Sequence, residues 1–285
     1  MNQYKRLLSN TFIFAVGTFS SKILVILMLR FYTGVLTQDE MGVADLIIKT
    51  TSILYPVVSL SIGQAVIRYG LERRRRKPDV FTIGLLTVAC GFLISLPFNP
   101  LLKLVHYNTS AGVAGSLLDY RILIYVYVLT SCTQNVCGQF IRAIGYVRLY
   151  AIDGILCTIT TCGFYVLFLR VLNMGPTGYL LAIICADGLS ALFLFAVTKT
   201  WRFLDFKRFD TKLLKKMLRY ALPLVPASIF WWITNASDQF FVAAMLEDGT
   251  SWTAVLGASY KLPTILSIVS TIFTEAWQIS AFTDG

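Results

Sequence analysis

Residues 177–198 run for twenty-two positions with one charged side chain, Asp187. A helix needs about 20 mostly apolar residues to cross a hydrocarbon core. The pattern recurs along the chain, so spans are expected at 11–32, 41–67, 80–104, 121–141, 149–171, 177–198, 217–245 and 252–276. None shows the apolar–polar alternation of a barrel strand, and a lone segment satisfies its own backbone in lipid only as a helix. The expected fold class is an all-α membrane protein of about eight transmembrane helices. A mean hydropathy of +0.69 and only 14% charged residues agree with this. A soluble domain carries about 25% charged residues, and a fold of this size has too little interior to hide so much apolar surface.

The basic residues set an orientation. Lys5 and Arg6, then Arg68 and Arg73 to Lys77, then Arg142 and Arg148, then the eight from Lys199 to Arg219 all fall on one side of the expected spans. The other side holds at most Arg30, Lys103, Arg121 and Arg170, with Asp39, Glu40, Glu247 and Asp248 in its loops. The positive-inside rule then places the N-terminus in the cytoplasm of a plasma membrane. The Arg73–Arg76 run reads as a topology and anionic-lipid feature, so the net charge of +10 calls for no nucleic acid. The first apolar run carries Lys22 and no A-x-A-like site, which marks a retained span rather than a signal peptide. In 199–216, Trp201, Phe203, Phe206, Phe209 and Leu213 lie among basic residues, as in an amphipathic interfacial segment.

A weak repeat divides the chain. Lys5-Arg6-Leu7-Leu8 is matched by Lys215-Lys216-Met217-Leu218, and Lys49-x-x-Ser52-Ile53-Leu54 by Lys261-x-x-Thr264-Ile265-Leu266. Both pairs begin from the same side, which is the mark of a parallel repeat. The expected organisation is a six-helix lobe over 1–198, an interfacial linker over 199–216 and the start of a second lobe over 217–285.

Charges inside spans are expensive and become functional candidates by default; a central Lys costs roughly 2.5–3.5 kcal/mol to insert. Here they are Lys22, Asp45, Lys49, Asp187, Asp238 and Lys261. Lys22, Lys49 and Lys261 are candidates for binding an anionic headgroup, and Asp45, Asp187 and Asp238 for coupling or cavity acids. Asp45 and Lys49 stand four apart with the acid first, the favourable order for a pair on a helix. Asp238 sits in a polar girdle, Asn235-Ala236-Ser237-Asp238-Gln239, which also fits interhelical hydrogen bonding. Pro56, Pro223, Pro226 and Pro263 are expected to kink their helices.

An enzyme is disfavoured. His106 is the only histidine and lies in a loop. The six cysteines sit in apolar stretches without CxxC spacing and read as packing residues, so no metal or cofactor is expected. No Walker or Rossmann glycine pattern is present.

Several strings are familiar in combination. Tyr32-Thr33-Gly34-Val35-Leu36-Thr37, Glu40-Met41-Gly42-Val43-Ala44-Asp45-Leu46 and Ala65-Val66-Ile67-Arg68-Tyr69 resemble the opening of Wzx-type polysaccharide flippases. These belong to the multidrug/oligosaccharidyl-lipid/polysaccharide exporter superfamily. Tyr220-Ala221-Leu222-Pro223-Leu224-Val225-Pro226, Trp231-Trp232-Ile233, Asn235-Ala236-Ser237-Asp238, Tyr260-Lys261-Leu262-Pro263 and Ala276-Trp277-Gln278 resemble the family's helix 7–8 region. The resemblance implies two six-helix lobes about a central cavity and a bacterial inner-membrane flippase of undecaprenyl-diphosphate-linked oligosaccharide. It further implies that Lys22, Lys49 and Lys261 line that cavity, and that the partners are the lipid-linked oligosaccharide, membrane lipids and polysaccharide polymerase machinery. Gln239 stands where family members often have Arg. Members usually have 12–14 helices, so a truncated chain is the expectation. The rival reading is a drug or small-molecule exporter of the same superfamily.

Overall fold

Thr37 and Glu40 start the first long helix. The Thr37 hydroxyl accepts from the Glu40 amide at 3.3 Å, and the Glu40 carboxylate accepts from the Thr37 amide at 2.9 Å. This reciprocal capping box satisfies two orphan donors and opens α1 (Gln38–Ser59). The computed structural model describes residues 33–72, 76–97, 106–108, 114–204 and 210–260, with Met28, Arg30, Phe31, Pro100, Leu102, Ser270, Thr274 and Trp277 beside them.

Pro56 lies inside α1 without ending it. The break comes at Leu60 and Ser61, whose φ angles of 48° and 51° are left-handed. Two such residues in succession cannot continue a right-handed ladder. The chain restarts as α2 (Ile62–Leu71), so the single span expected over 41–67 is two helices. α3 (Lys77–Ser95) begins with Pro78 in its first turn and stops well short of residue 104. A small hairpin follows, β1 (His106–Asn108) pairing antiparallel with β2 (Ala114–Ser116), His106 opposite Ser116. Neither strand was expected from the sequence, and His106 is exposed on β1.

α4 (Arg121–Ala143) and α5 (Val147–Tyr165) come next, and α5 widens into a π turn over Val166–Val171. α6 (Gly175–Val197) completes this part. Within the expected interfacial segment, a 3-10 turn covers Thr200–Phe203 and α7 (Thr211–Ala221) starts at Asp210, whose carboxylate takes the Lys212 and Leu213 amides at 2.9 and 3.0 Å. α7 buries Leu213, Met217 and Ala221 at four-residue spacing and exposes Lys212, Lys215, Lys216 and Arg219. α8 (Leu224–Met245) follows directly, so the span expected over 217–245 is also interrupted, here at Leu222–Pro223. α9 is described over 249–260.

Of the three buried cores among the described residues, two anchor α4. One centres on Phe81, Phe140, Phe195 and Phe203, with Phe81 and Phe140 centroids 4.5 Å apart, and the apolar face of α7 docks onto it. The other gathers Val43, Leu46 and Ile47 of α1, Tyr107 of the hairpin, Ile124 of α4, Leu180 of α6 and Ala243 of α8. The second core therefore ties α1 to α8. Among the described residues, four helices are long and apolar enough to cross a membrane: 38–59, 77–95, 147–171 and 175–197. Leu93, Ile94, Ile122, Leu192 and Phe241 turn outward and exposed, as lipid-facing residues do. The protein is a multi-pass helical membrane protein.

Candidate functional site

One face of α1 forms a seam with α8 and α9. At one end Asp39 accepts from the Thr250 hydroxyl and, at 3.0 Å, from the Ser251 hydroxyl. A turn further, the backbones touch: a Cβ on Gly42 would lie 1.9 Å from the Thr250 carbonyl oxygen, so only glycine fits. Next, Asp45 and Gln239 meet at Gly257, where a Cβ would fall 2.2 Å from Asp45 Oδ2 and 3.4 Å from Gln239 Nε2. Both side chains are buried. One turn beyond Asp45, Lys49 Nζ sits 5.8 Å from the Trp232 ring centroid. Positions 39, 42, 45 and 49 are helix-spaced and share this face.

Below Trp232 the seam opens. A cavity of about 470 Å³ lies between Tyr55, Pro56 and Ser59 of α1, the α1–α2 break, Asn135 of α4, Tyr220 of α7 and Leu224, Ser228 and Trp232 of α8. The left-handed turn at Leu60–Ser61 is what brings Ser61, Gly63 and Gln64 to its wall. Among the described residues the lining combines hydroxyls, amides and aromatic rings with the apolar Pro56, Leu224 and Ala227, and it has no acidic or basic side chain. Such a surface offers ring faces and neutral hydrogen-bonding groups to a polar guest.

The remaining buried acids lie elsewhere. Asp187 on α6 accepts from Ser131 at 2.6 Å, with Cys157 Sγ at 3.9 Å. Asp153 on α5 is 1% exposed and takes the Ser190 hydroxyl at 2.9 and 2.8 Å on its two oxygens. Gln134 of α4 donates to Ser190 at 3.4 Å, so each of the two carboxyls is tied to α4, Asp187 through Ser131 and Asp153 through Ser190. Asp238 accepts from the Tyr260 hydroxyl and from the Gln239 amide at 2.9 Å, joining α8 to α9. Of the six charges singled out from sequence, Asp45 and Lys49 are at the seam, while Asp187 and Asp238 do not line the cavity. Lys22 and Lys261 lie outside the described residues.

A family model described as polysaccharide biosynthesis protein matches residues 7–278. The chain belongs to that family. Its fold is shared with solved transporters at low identity. A MATE transporter in complex with MaL6 superposes with a TM-score of 0.72 at 16% identity, covering 99% of this chain and 66% of its own. A MOP-superfamily transporter from Pyrococcus furiosus, reported with a binding pocket of reversed polarity, gives the same values. An outward-facing multidrug-resistance MATE transporter gives 0.68 at 14% identity, with 99% and 66% coverage. The chain thus spans just under two thirds of the length of these structures. No curated protein matches it.

The candidate site also includes residues that charge alone does not reveal. Asp153 lies away from the seam and cavity, and as a lone acid in an apolar helix it carries the same signal that marks Asp187. Asp39 read as a loop acid and is a seam residue. Trp232 and Tyr220 carry no charge to mark them. Arg142 counted as a loop cation, but it is 1% exposed at the end of α4, donating to Gln139 at 3.0 Å beneath Tyr150.

Proposed function

We propose that this polysaccharide biosynthesis protein is a flippase that moves undecaprenyl-diphosphate-linked oligosaccharide across the bacterial inner membrane, without covalent chemistry. One observation carries the reading: the seam of α1 with α8 and α9 is sealed at its Asp39 end, against α9, and opens below Lys49 and Trp232 into a polar, aromatic cavity. In this reading the basic end, with α7, faces the cytoplasm, and the cavity is the substrate path caught open to that side. Lys49 meets the diphosphate, a good partner for an ammonium in low dielectric. Lys22 and Lys261 complete the anion site, residues 1–198 and 217–285 are parts of two lobes, and Asp45, Asp187 and Asp238 serve as coupling acids. Polymerase machinery takes the product on the far side.

The Lys49 ammonium beside Trp232, rather than the neutral lining, is what favours an anionic guest over a cationic drug. The test is complementation of a strain lacking its own flippase, scored as surface polysaccharide per membrane-inserted protein. Restored polysaccharide supports the reading. Resistance to cationic drugs with no restored polysaccharide would move the protein to the exporter class.

A further inference from the structure

Arg68 has so far counted only as a topology charge. It stands on α2 one turn past Gln64, which lines the cavity. Its guanidinium carbon lies 4.3 Å from the Tyr220 ring centroid and 5.8 Å from that of Tyr69. Tyr220 is itself cavity wall. Tyr69 meets Tyr220 edge to face at 6.2 Å, and its hydroxyl donates to the Lys216 carbonyl at 3.4 Å. Two rings therefore fix where this exposed cation sits.

A ring face holds a guanidinium by its charge and flat surface and uses up none of its in-plane N–H donors. Among the described residues no carboxylate or carbonyl takes those donors. The arrangement parallels the other end of the cavity, where Lys49 of α1 lies over Trp232 of α8. Each end thus has a cation from the α1–α2 arm over an aromatic ring of the α7–α8 arm. A planar, pre-placed fork suits the paired oxygens of a phosphate better than a point charge does.

We propose that Arg68 is the first contact for the phosphate-ester headgroup at the mouth of the cavity, from which the headgroup passes to Lys49. This rests on the flippase reading and adds to it a named residue at the mouth. A diphosphate-linked lipid and an anionic phospholipid share the relevant chemistry, so both must be offered.

The intact protein in detergent is titrated with farnesyl diphosphate and, separately, with dioctanoyl phosphatidylglycerol, by tryptophan fluorescence and native mass spectrometry. Wild type is expected to prefer the diphosphate. R68Q should weaken diphosphate binding by about tenfold or more, the range for a lost charge-assisted hydrogen bond. R68K should lose a good part of that affinity, since it keeps the charge and loses the fork. Phosphatidylglycerol binding should be the same in all three proteins. If R68Q binds the diphosphate as wild type does, Arg68 has no such role and the flippase reading stands. If R68Q loses both ligands equally, Arg68 is a bilayer anchor and the proposal falls. If wild type binds no diphosphate, the flippase reading fails with it.

Discussion

Asp39 and Ser251 hold the closed end of the seam, the carboxylate accepting the hydroxyl at 3.0 Å while it also takes the hydroxyl of Thr250. These bonds join the first turn of α1 to the first turn of α9, so they break whenever the two arms part at this end. Hydrogen bonds to a charged group contribute about 1.5–3 kcal/mol where they are shielded, and somewhat less at this half-buried site.

Asp39→Ala should therefore loosen the seal. Thr253 is fully buried behind it. A cysteine at position 253, in a background without the native cysteines, should react with an impermeant maleimide roughly tenfold faster in the Asp39→Ala protein. Asp39→Asn keeps an acceptor and should fall between. An unchanged rate in Asp39→Ala would mean that the backbone contact at Gly42 alone keeps the seam shut.

Lys49 should matter through its charge. If it meets the diphosphate, Lys49→Gln loses most export while the protein still inserts, and Lys49→Arg keeps part of it because charge survives and geometry changes. The measurement is surface polysaccharide normalised to membrane protein. Normal export by Lys49→Gln would make the residue a structural companion of Trp232 and Asp45.

The spans and the seam differ in how much of them the sequence announces. Long apolar runs such as 177–198 specify helices outright, because lipid leaves the backbone no alternative. The break at Leu60–Ser61 had no such announcement: neither residue is Gly or Pro, yet both take the left-handed conformation. Pro56, the visible breaker, is carried inside α1 instead. Lys49 and Asp45 were legible as costly charges. Asp39 was not, since a helix-capping acid near a span end looks the same whether it meets water or a hydroxyl of another helix. The cavity walls were hidden for a similar reason, because Ser59, Asn135 and Trp232 become a site only when three helices bring them together.

Orientation has a direct check. Lys215 on the basic face of α7 and Glu247 in the α8–α9 turn are both exposed. Single cysteines there, in the same cysteine-free background, should label on opposite sides: Glu247→Cys in intact cells, Lys215→Cys only after the membrane is opened. Glu247 serves better than neighbouring Gly249, where a Cβ would lie 2.3 Å from the Ala243 carbonyl oxygen. Labelling of position 215 from outside would invert the topology and, with it, the side from which the cavity is reached.

Gln239 is the residue whose discomfort the seam has to carry. It is fully buried, and neither its Nε2 nor its Oε1 has a hydrogen-bond partner among the described residues. A buried amide group left unmade costs about 1–3 kcal/mol. That cost is present while α1, α8 and α9 are closed and is relieved when the seam opens to water, so Gln239 works against the Asp39 latch. Gln239→Met keeps the length and removes both polar ends. It should favour the closed seam by about 1–3 kcal/mol, a roughly 5–150-fold fall in the open population. Three readings should move together: slower maleimide reaction at a cysteine in position 253, a higher Tm, and less polysaccharide exported per molecule. A Gln239→Met protein that labels at the wild-type rate would show that the amide finds partners in the closed state, and that the seam carries no such bias.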